Sequence, residues 1–390
     1  MKRYLLISAV TFVTALFAYD SADAETPFSD VSESFWAEEE VAYLNEEDVL
    51  TGYENGTFGV NDPMTRAQAA RALARVHDLD TSEPESVSFE DVQKGDSAYP
   101  EIAAAVEAGY FSDGETFQPH ETITRAQMAA ILSRAYDLTG EETVDYKDVP
   151  EDHWAYDDIR LLGEHRLTTG YDDLTFRPAE DVTRSQFSVF LARAEEESFR
   201  ADAAVLPQRA AEGVYYPRMV GLEDAVQESI NTTLNEQGQA SAEESEEVEE
   251  LAQDANGELA EDYVYEETYR IEQNNDEYIS IVFEEYQFTG GVHGMSQHTA
   301  YTFDAQTGET LTLQDLFAED TDYVSVINET IETEMEDEAL GGSYFDFDGV
   351  EPETDQFYVT EKGPVVYFQP YEIAPYAEGI PTFTVPWDEF

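Results

Sequence analysis

Apolar residues recur at helical spacing in two short segments near the start of the chain. Val41 and Leu44 share one helical face, and residues 69–76 carry a second apolar face. Between them, the turn-rich stretch 51–58 reads Thr-Gly-Tyr-Glu-Asn-Gly-Thr-Phe. The pattern predicts a helix–loop–helix unit.

The same unit occurs three times at a period of 59 residues. The tripeptide Thr-Arg-Ala at 65–67 returns at 124–126 and, as Thr-Arg-Ser, at 183–185. A fixed period with matched landmarks indicates one supersecondary unit used three times. We place the copies at residues 27–80, 86–139 and 143–196.

The second helix of each copy begins with a predicted capping box, in which Thr and the Gln three residues later satisfy the helix start. The adjacent arginine is not explained in this way, because a cation in the first helical turn opposes the helix dipole. The three arginines therefore predict contact with an anion, assisted by backbone N–H groups of the helix start. The alternative is an internal ion pair with an aspartate of the repeat. The residues concerned are Arg66, Arg125 and Arg184, and Asp30, Asp91 and Asp148.

The pattern changes after residue 213. Apolar positions every four residues from 222 to 234 predict an amphipathic helix, and the acidic run 236–262 predicts a solvated loop or an exposed helix. Alternating segments then predict strands, with hairpins around Gly308 and Gly363. We therefore predict an α+β protein, with an N-terminal all-α bundle of repeats and a C-terminal α+β domain with an antiparallel sheet. The linker is placed at 197–213 and the C-terminal domain at 214–390.

The net charge of the chain limits the classes of partner that it can bind. Asp and Glu number 87 against 19 Lys and Arg, so the formal net charge is −68, spread as −27 over residues 1–200 and −41 over 201–390. Nucleic acids and anionic membranes are excluded as partners, because both need basic patches. Self-repulsion at this charge is screened by salt, which predicts a salt-adapted protein. The absence of cysteine excludes disulfides, zinc–cysteine sites and thiol catalysis.

The first 24 residues predict an export signal. Lys2 and Arg3 precede an apolar run to Ala18, and small residues allow cleavage after Ala24. The run is shorter than the ~20 residues of a membrane helix. The alternative is an uncleaved anchor. After cleavage we expect a secreted protein without membrane contact.

The repeats closely resemble the S-layer homology family, as three tandem copies over about residues 27–195. The first copy shows Phe-Ser-Asp-Val at 28–31, Leu-Thr-Gly-Tyr at 50–53, Asn-Gly-Thr-Phe at 55–58 and Thr-Arg-Ala-Gln at 65–68. The resemblance implies a pseudo-threefold bundle that binds secondary cell-wall polysaccharide, often pyruvylated, in grooves between copies. The binding residues it implies are Asp30, Trp36, Gly52, Tyr53, Arg66, Asp91, Arg125, Asp148, Trp154, Gly170, Tyr171 and Arg184.

The sequence departs from the family pattern mainly in the second copy. The usual Glu after Thr-Arg-Ala is Gln in all three copies. In the second copy Phe111-Ser112 stand at the place of Gly-Tyr, and Tyr99 lies near the place of the Trp. We therefore expect Arg66 and Arg184 to contribute more to binding than Arg125.

The C-terminal half resembles a second family. Tyr-Pro-Arg at 216–218, Thr-Gly-Gly-Val-His-Gly at 289–294 and Pro-Tyr-Glu-Ile-Ala-Pro-Tyr at 370–376 are similar to the extracytoplasmic domain of a lysozyme-sensing anti-sigma factor. The same domain precedes the catalytic domain of a peptidoglycan deacetylase. The resemblance implies a fold and a cell-envelope setting, and it implies no activity.

No segment predicts a catalytic centre. His293 and His298, with Glu285 and Asp304 nearby in sequence, do not form the helical His-Glu-x-x-His pair of zinc proteases. Neither a serine-nucleophile elbow nor a phosphate-binding loop occurs. We therefore predict a non-enzymatic protein of the cell wall surface, without catalytic residues, metal or cofactor, that carries a C-terminal envelope-associated binding domain. A protein is one candidate ligand of that domain. The alternatives are a wall-glycan-modifying enzyme and a receptor for a protein such as lysozyme.

Overall fold

The computed structural model describes residues 27–201, 203–254, 263–336 and 343–390. Within these residues, each copy of the repeat contributes two helices. They are α1 Glu38–Glu46, α2 Arg66–Val76, α3 Tyr99–Glu107, α4 Arg125–Ala135, α5 Tyr156–Glu164 and α6 Arg184–Glu195. The predicted helix–loop–helix unit is confirmed, and the predicted signal peptide at 1–24 lies outside the described residues.

Each second helix begins at its capping box. In α2 the Thr65 hydroxyl accepts from the Gln68 N–H at 3.3 Å, and the Gln68 side chain accepts from the Thr65 N–H at 2.9 Å. The same reciprocal pair opens α4 and α6. Because the cap satisfies N–H groups that have no partner inside the helix, it determines where the helix begins. It thereby determines the position of the arginine that follows.

The three copies form a closed cycle. The second helix of one copy packs on the first helix of the next, so that α2 contacts α3, α4 contacts α5 and α6 contacts α1. Three backbone hydrogen bonds also link the copies in a closed cycle. They join the residues that directly precede the three capping threonines. They run from Met64 N–H to Val182 O at 2.8 Å, from Ile123 N–H to Met64 O at 2.9 Å, and from Val182 N–H to Ile123 O at 2.9 Å. The expected pseudo-threefold bundle is confirmed.

The C-terminal half is built on a six-stranded sheet with the strands in sequence order. They are β1 Ala204–Ala211, β2 Val214–Val220, β3 Val264–Asn274, β4 Tyr278–Phe288, β5 Met295–Asp304 and β6 Thr310–Leu311. All neighbours are antiparallel except β2 and β3, which meet in parallel at Val214 and Glu267. The sheet is thus antiparallel as predicted, with this one exception.

A 31-residue helix, α7 Asp224–Asp254, connects β2 to β3 and packs on β1, β2 and β3. Its first turns contain most of the apolar stripe predicted from 222 to 234. Its second half is formed by the acidic run, as far as Asp254. The rest of that run, residues 255–262, lies outside the described residues. In the described ranges, no helix combines the length and apolarity needed to cross a membrane.

A smaller sheet covers the face of the large sheet opposite α7. It contains β7 Phe357–Thr360, β8 Gly363–Tyr367 and β9 Thr382–Thr384, and helix α8 Tyr323–Glu336 precedes it. Tyr358 and Tyr367 of this sheet pack against Val282 of β4. Both predicted hairpins are present, as β5–β6 and β7–β8, and the α+β class is confirmed.

The two halves of the chain share a core. Strand β1 lies within the segment 197–213 that the sequence indicates as a linker, and it pairs with β2. Ala204, Leu206 and Val220 belong to the same buried cluster as the helices of the repeats. The Asp145 N–H also donates to the Pro207 carbonyl at 2.8 Å. The segment is therefore a structured joint between the two halves.

Candidate functional site

Three related grooves lie where a helix start meets the loop of the neighbouring copy. In each groove, the Nε–H of an arginine donates to a phenylalanine carbonyl of that loop. The pairs are Arg184–Phe58 at 2.8 Å in groove 1, Arg66–Phe117 at 2.7 Å in groove 2 and Arg125–Phe176 at 2.7 Å in groove 3. Each groove therefore combines residues of two copies.

The structure combines the predicted residues differently from their grouping along the sequence. In groove 1 the Arg184 Cζ lies 5.1 Å from the ring centre of Tyr53, and in groove 3 the Arg125 Cζ lies 4.9 Å from that of Tyr171. In groove 2, Arg66 instead lies over Phe111 at 5.6 Å. The expected ranking of Arg66 above Arg125 is therefore wrong in its basis, because Arg125, not Arg66, faces a Gly-Tyr loop.

Two of the three guanidinium groups are shielded from water, and none forms an ion pair with another described residue. Arg125 and Arg184 are 4% and 3% exposed, and Arg66 is half-buried. Burial lowers the pKa of each of these arginines below its ordinary value. Among the residues that the structure describes, no carboxylate lies within 4.0 Å of any of them. Their close contacts are carbonyl oxygens and aromatic faces. Carboxylates act on them only from a longer distance, Asp91 on Arg66, Glu180 on Arg125, and Asp62 and Asp30 on Arg184.

The three aspartates shape the groove loops rather than pairing with the arginines. The carboxylate of Asp30 accepts from the N–H groups of Phe58 and Gly59 at 2.6 and 2.8 Å. Asp91 and Asp148 each bond two loop N–H groups in the same way. Burial acts to raise the pKa of Asp30, but these N–H groups lower it below its ordinary value. The alternative of an internal arginine–aspartate ion pair is therefore not realised.

The backbone N–H groups at the helix starts are already used within the protein. Those of Arg66, Arg125 and Arg184 each donate to a carbonyl of the neighbouring copy at 2.9 Å. The next N–H along each helix also donates to that copy, and the third donates to the capping threonine. The expectation that these groups assist an anion is wrong, because they hold the copies together.

The exposed aromatic residues differ between copies. Trp36 and Trp154 precede α1 and α5 by two residues and are 61% and 63% exposed. Tyr99, expected near the place of the Trp in the second copy, is the first residue of α3 and is buried. Ser97 stands at the equivalent position. The second copy therefore presents neither the tryptophan nor the tyrosine of its neighbours.

The predicted glycines are required by close packing. A Cβ at Gly52 would lie 2.2 Å from the Phe28 ring, and a Cβ at Gly170 would lie 2.4 Å from the Tyr146 ring. Gly170 also has φ +78°, which L side chains rarely adopt. These two glycines let the groove loop lie directly on the repeat core.

The histidines of the C-terminal half are separated. His293 stacks on Tyr376 with ring centres 3.9 Å apart, and the Asp304 carboxylate accepts loop N–H groups at the other end of β5. The His298 Nε2 lies 3.6 Å from Glu284, and burial lowers the pKa of His298. In the part of the chain that the structure describes, no three His, Cys, Asp or Glu side chains are grouped to hold a metal ion.

Family models match the repeats and the C-terminal half separately. The family model of the S-layer homology domain matches residues 27–70, 88–129 and 145–188. The model "Deacetylase PdaC" matches residues 212–296, and that of DUF3298, a protein of unknown function, matches 314–388. The two resemblances inferred from the sequence are thereby confirmed.

Curated relatives share a limited part of their length with this chain. An S-layer protein of Bacillus thuringiensis subsp. finitimus is 30% identical over 181 residues, 45% of this chain and 22% of that protein. An endoglucanase of Bacillus sp. (strain KSM-635) is 35% identical over 203 residues, 46% of this chain and 21% of that protein. The chain thus spans about a fifth of the length of these relatives.

Among solved structures, a DUF3298 family member from Bacteroides fragilis superposes with a TM-score of 0.36 at 18% identity, over 48% of this chain and 90% of that one. The chain thus contains three S-layer homology domains, followed by regions that match the PdaC and DUF3298 families. It is a secreted protein of the cell surface, anchored by its S-layer homology domains.

Proposed function

We propose that grooves 1 and 3 bind an anionic secondary cell-wall polysaccharide, pyruvylated on its sugars, and that this binding anchors the protein. One observation carries the proposal: among the described residues, the buried guanidinium groups of Arg125 and Arg184 have no carboxylate within 4.0 Å, although the chain has 87 acidic residues. A buried charge without a counter-ion is costly. A carboxylate borne by a sugar would supply the missing partner.

The chemistry of the grooves suits such a ligand. In groove 1 the Arg184 Nε–H donates to the Phe58 carbonyl and an Nη2–H donates to the Thr51 carbonyl at 2.8 Å. The remaining Nη hydrogens form the planar fork that binds carboxylates. Tyr53 adds a partly exposed ring and hydroxyl, and Trp36 of the same copy adds an exposed aromatic face for a sugar ring.

For residues 214–390 the proposal is a binding role without catalysis. His293 is held by ring stacking, Asp304 is held by turn hydrogen bonds, and His298 lies beside Glu284. These contacts give His293 and Asp304 structural roles, whereas the Nδ1 of His298 has no hydrogen-bond partner among the described residues. The ligand is a protein, for which the acidic surface provides electrostatic attraction that fades with salt.

The anchoring proposal is tested with Arg184→Lys and Arg125→Lys in the full chain, by cosedimentation with purified cell walls. Lysine keeps the charge but cannot form the planar fork, so each variant is expected to bind about tenfold more weakly. Arg66→Lys is the matched control, because Arg66 makes the same carbonyl bond in groove 2. It is expected to keep its affinity within about twofold.

Two results would overturn the anchoring proposal. One is unchanged wall binding by the Arg125→Lys, Arg184→Lys double variant, provided that it is folded by circular dichroism. The other is an equal loss in all three single variants. An equal loss would mean that the arginines act only by holding the copies together.

The non-catalytic proposal is tested by incubating the full chain with peptidoglycan, with and without divalent metal ions. No reducing sugar, acetate or peptide is expected to be released. Turnover that His298→Ala or His293→Ala abolishes would contradict the proposal and favour the wall-glycan-modifying enzyme instead.

A further inference from the structure

A cleft of about 550 Å³ lies between the third repeat and the C-terminal sheet. One wall is the groove 3 loop, Thr169–Leu174, and the other is formed by β1 and β3. We propose that the polysaccharide chain held in groove 3 continues into this cleft, where the C-terminal domain provides a second saccharide subsite. This inference rests on the proposed anchoring function.

The cleft is continuous with groove 3. Gly170 and Tyr171 line the cleft, and the Tyr171 ring also lies 4.9 Å from Arg125. Arg177 covers the same ring at 3.7 Å. Tyr171 is therefore common to groove 3 and to the cleft. The volume of the cleft is in the usual range for small-ligand sites.

The two walls are fixed to each other. Leu174 of the groove loop is buried in a cluster with Met219 and Ile230 of the C-terminal half. Arg218 forms an ion pair with Glu142 of the third repeat at 2.8 Å. With the backbone bond between β1 and the third repeat described above, these contacts make the cleft a preformed feature. A preformed site avoids the cost of ordering its walls when a ligand binds.

The cleft presents polar groups that suit sugar hydroxyls. Asn274 is exposed at the end of β3, where its Nδ2 donates to the Ala203 carbonyl at 3.2 Å. Asp172, exposed in the groove 3 loop, also lines the cleft, and its carboxylate can accept from sugar hydroxyls. The Tyr269 hydroxyl contributes no contact, because it is buried from solvent.

The test fills the cleft in full-length protein whose groove 1 is weakened by Arg184→Lys, so that wall binding depends on groove 3. Asn274→Trp is expected to lower wall affinity about fivefold or more in this background. The matched control is Asp276→Trp, an exposed position in the turn after β3 that lies outside the cleft. It is expected to leave the affinity unchanged. In an Arg125→Lys background, Asn274→Trp is expected to have no further effect.

Ile271→Glu places a carboxylate in the cleft at a lining residue that is 36% exposed, so it serves if the tryptophan variant is poorly folded. It is expected to weaken binding about threefold or more in the Arg184→Lys background. Unchanged affinity of both cleft variants there, while Arg125→Lys still weakens binding, would overturn the subsite and leave the anchoring function intact. Wall binding that ignores Arg125 and Arg184 altogether would overturn the anchoring function itself.

Discussion

Glu267 is a carboxyl group buried between α7 and the large sheet. It is 2% exposed, and the Gln237 side chain of α7 donates to its Oε2 at 3.1 Å. Its other oxygen has no hydrogen-bond partner among the described residues. Glu285 stands directly opposite on β4, and Ser241 and Glu244 face it from α7. Burial raises the pKa of Glu267 to about 7, which the two neighbouring carboxylates reinforce.

We expect Glu267→Gln to stabilise the protein at alkaline pH. The folded state holds the Glu267 proton more tightly than the unfolded state, whose pKa is near the ordinary 4.5. Stability is therefore lost as pH rises from about 4.5 to about 7, and it stays lost above. The amide removes that loss, so the free energy of unfolding should rise by on the order of 2–3 kcal/mol at about pH 8.5 and hardly at about pH 4.

Urea unfolding at both pH values measures this difference, with the exposed neighbour Glu266→Gln as the control. A gain of equal size at both pH values would show that Glu267 does not titrate in this range. The same gain in the control would assign the effect to reduced surface repulsion instead.

At the grooves, residue types could be predicted from the sequence but their combinations could not. The 59-residue period identified arginines, aspartates and phenylalanines at equivalent positions of the three copies. Which arginine meets which loop depends on the direction of the cycle, since each helix start contacts the following copy. The period is the same for either direction. The sequence therefore could not show that Arg125, and not Arg66, shares a groove with Tyr171.

At the level of secondary structure, the second half of α7 could not be predicted as a packed helix. The composition of its buried stripe explains why. Its buried stripe runs through Leu234, Gly238, Ser241, Ser245 and Val248, at alternating spacings of four and three residues. The middle three residues are small or polar, so the stripe carries no hydrophobic signal. Close approach of α7 to the sheet, rather than apolar bulk, makes this contact.

Gly238→Ala should destabilise the protein although alanine favours helices. A Cβ at this position would lie 2.5 Å from the Tyr216 ring on β2, whose hydroxyl also bonds Asn235 of α7. Overpacking of this kind costs about 1–3 kcal/mol, which exceeds the gain in helix propensity of about 1 kcal/mol. Chemical unfolding of Gly238→Ala and of the exposed neighbour Gln239→Ala measures the effect. An equal or greater stability of Gly238→Ala would show that α7 moves away at little cost.

At the scale of the whole molecule, the excess of negative charge dominates the electrostatics. Carboxylates outnumber basic groups by 87 to 19 in the full sequence. Ion pairs can therefore neutralise only a minority of the acidic groups. The remainder repel one another, and this repulsion is stronger in dilute buffer than in concentrated salt. We therefore expect salt adaptation to depend on the surface composition and not on the grooves.

We expect the melting temperature to rise by several degrees between about 0.05 M and about 2 M sodium chloride, because screening removes the repulsion. Differential scanning calorimetry at several salt concentrations measures this directly. Sodium sulfate at matched ionic strength separates screening from the general strengthening of apolar burial by excluded salts. A melting temperature that is flat in sodium chloride would contradict salt adaptation.

The hydrogen-bonded cycle through Met64, Ile123 and Val182 sets the number of repeats that this architecture can hold. Open solenoids lengthen or shorten by one unit, because each end offers a free face for another. Here α6 already packs on α1, so a fourth unit has no face to join, and loss of one would uncover two interfaces at once. Duplication or deletion of single units is therefore blocked, and such an anchor can evolve in length only by adding a complete second set of three.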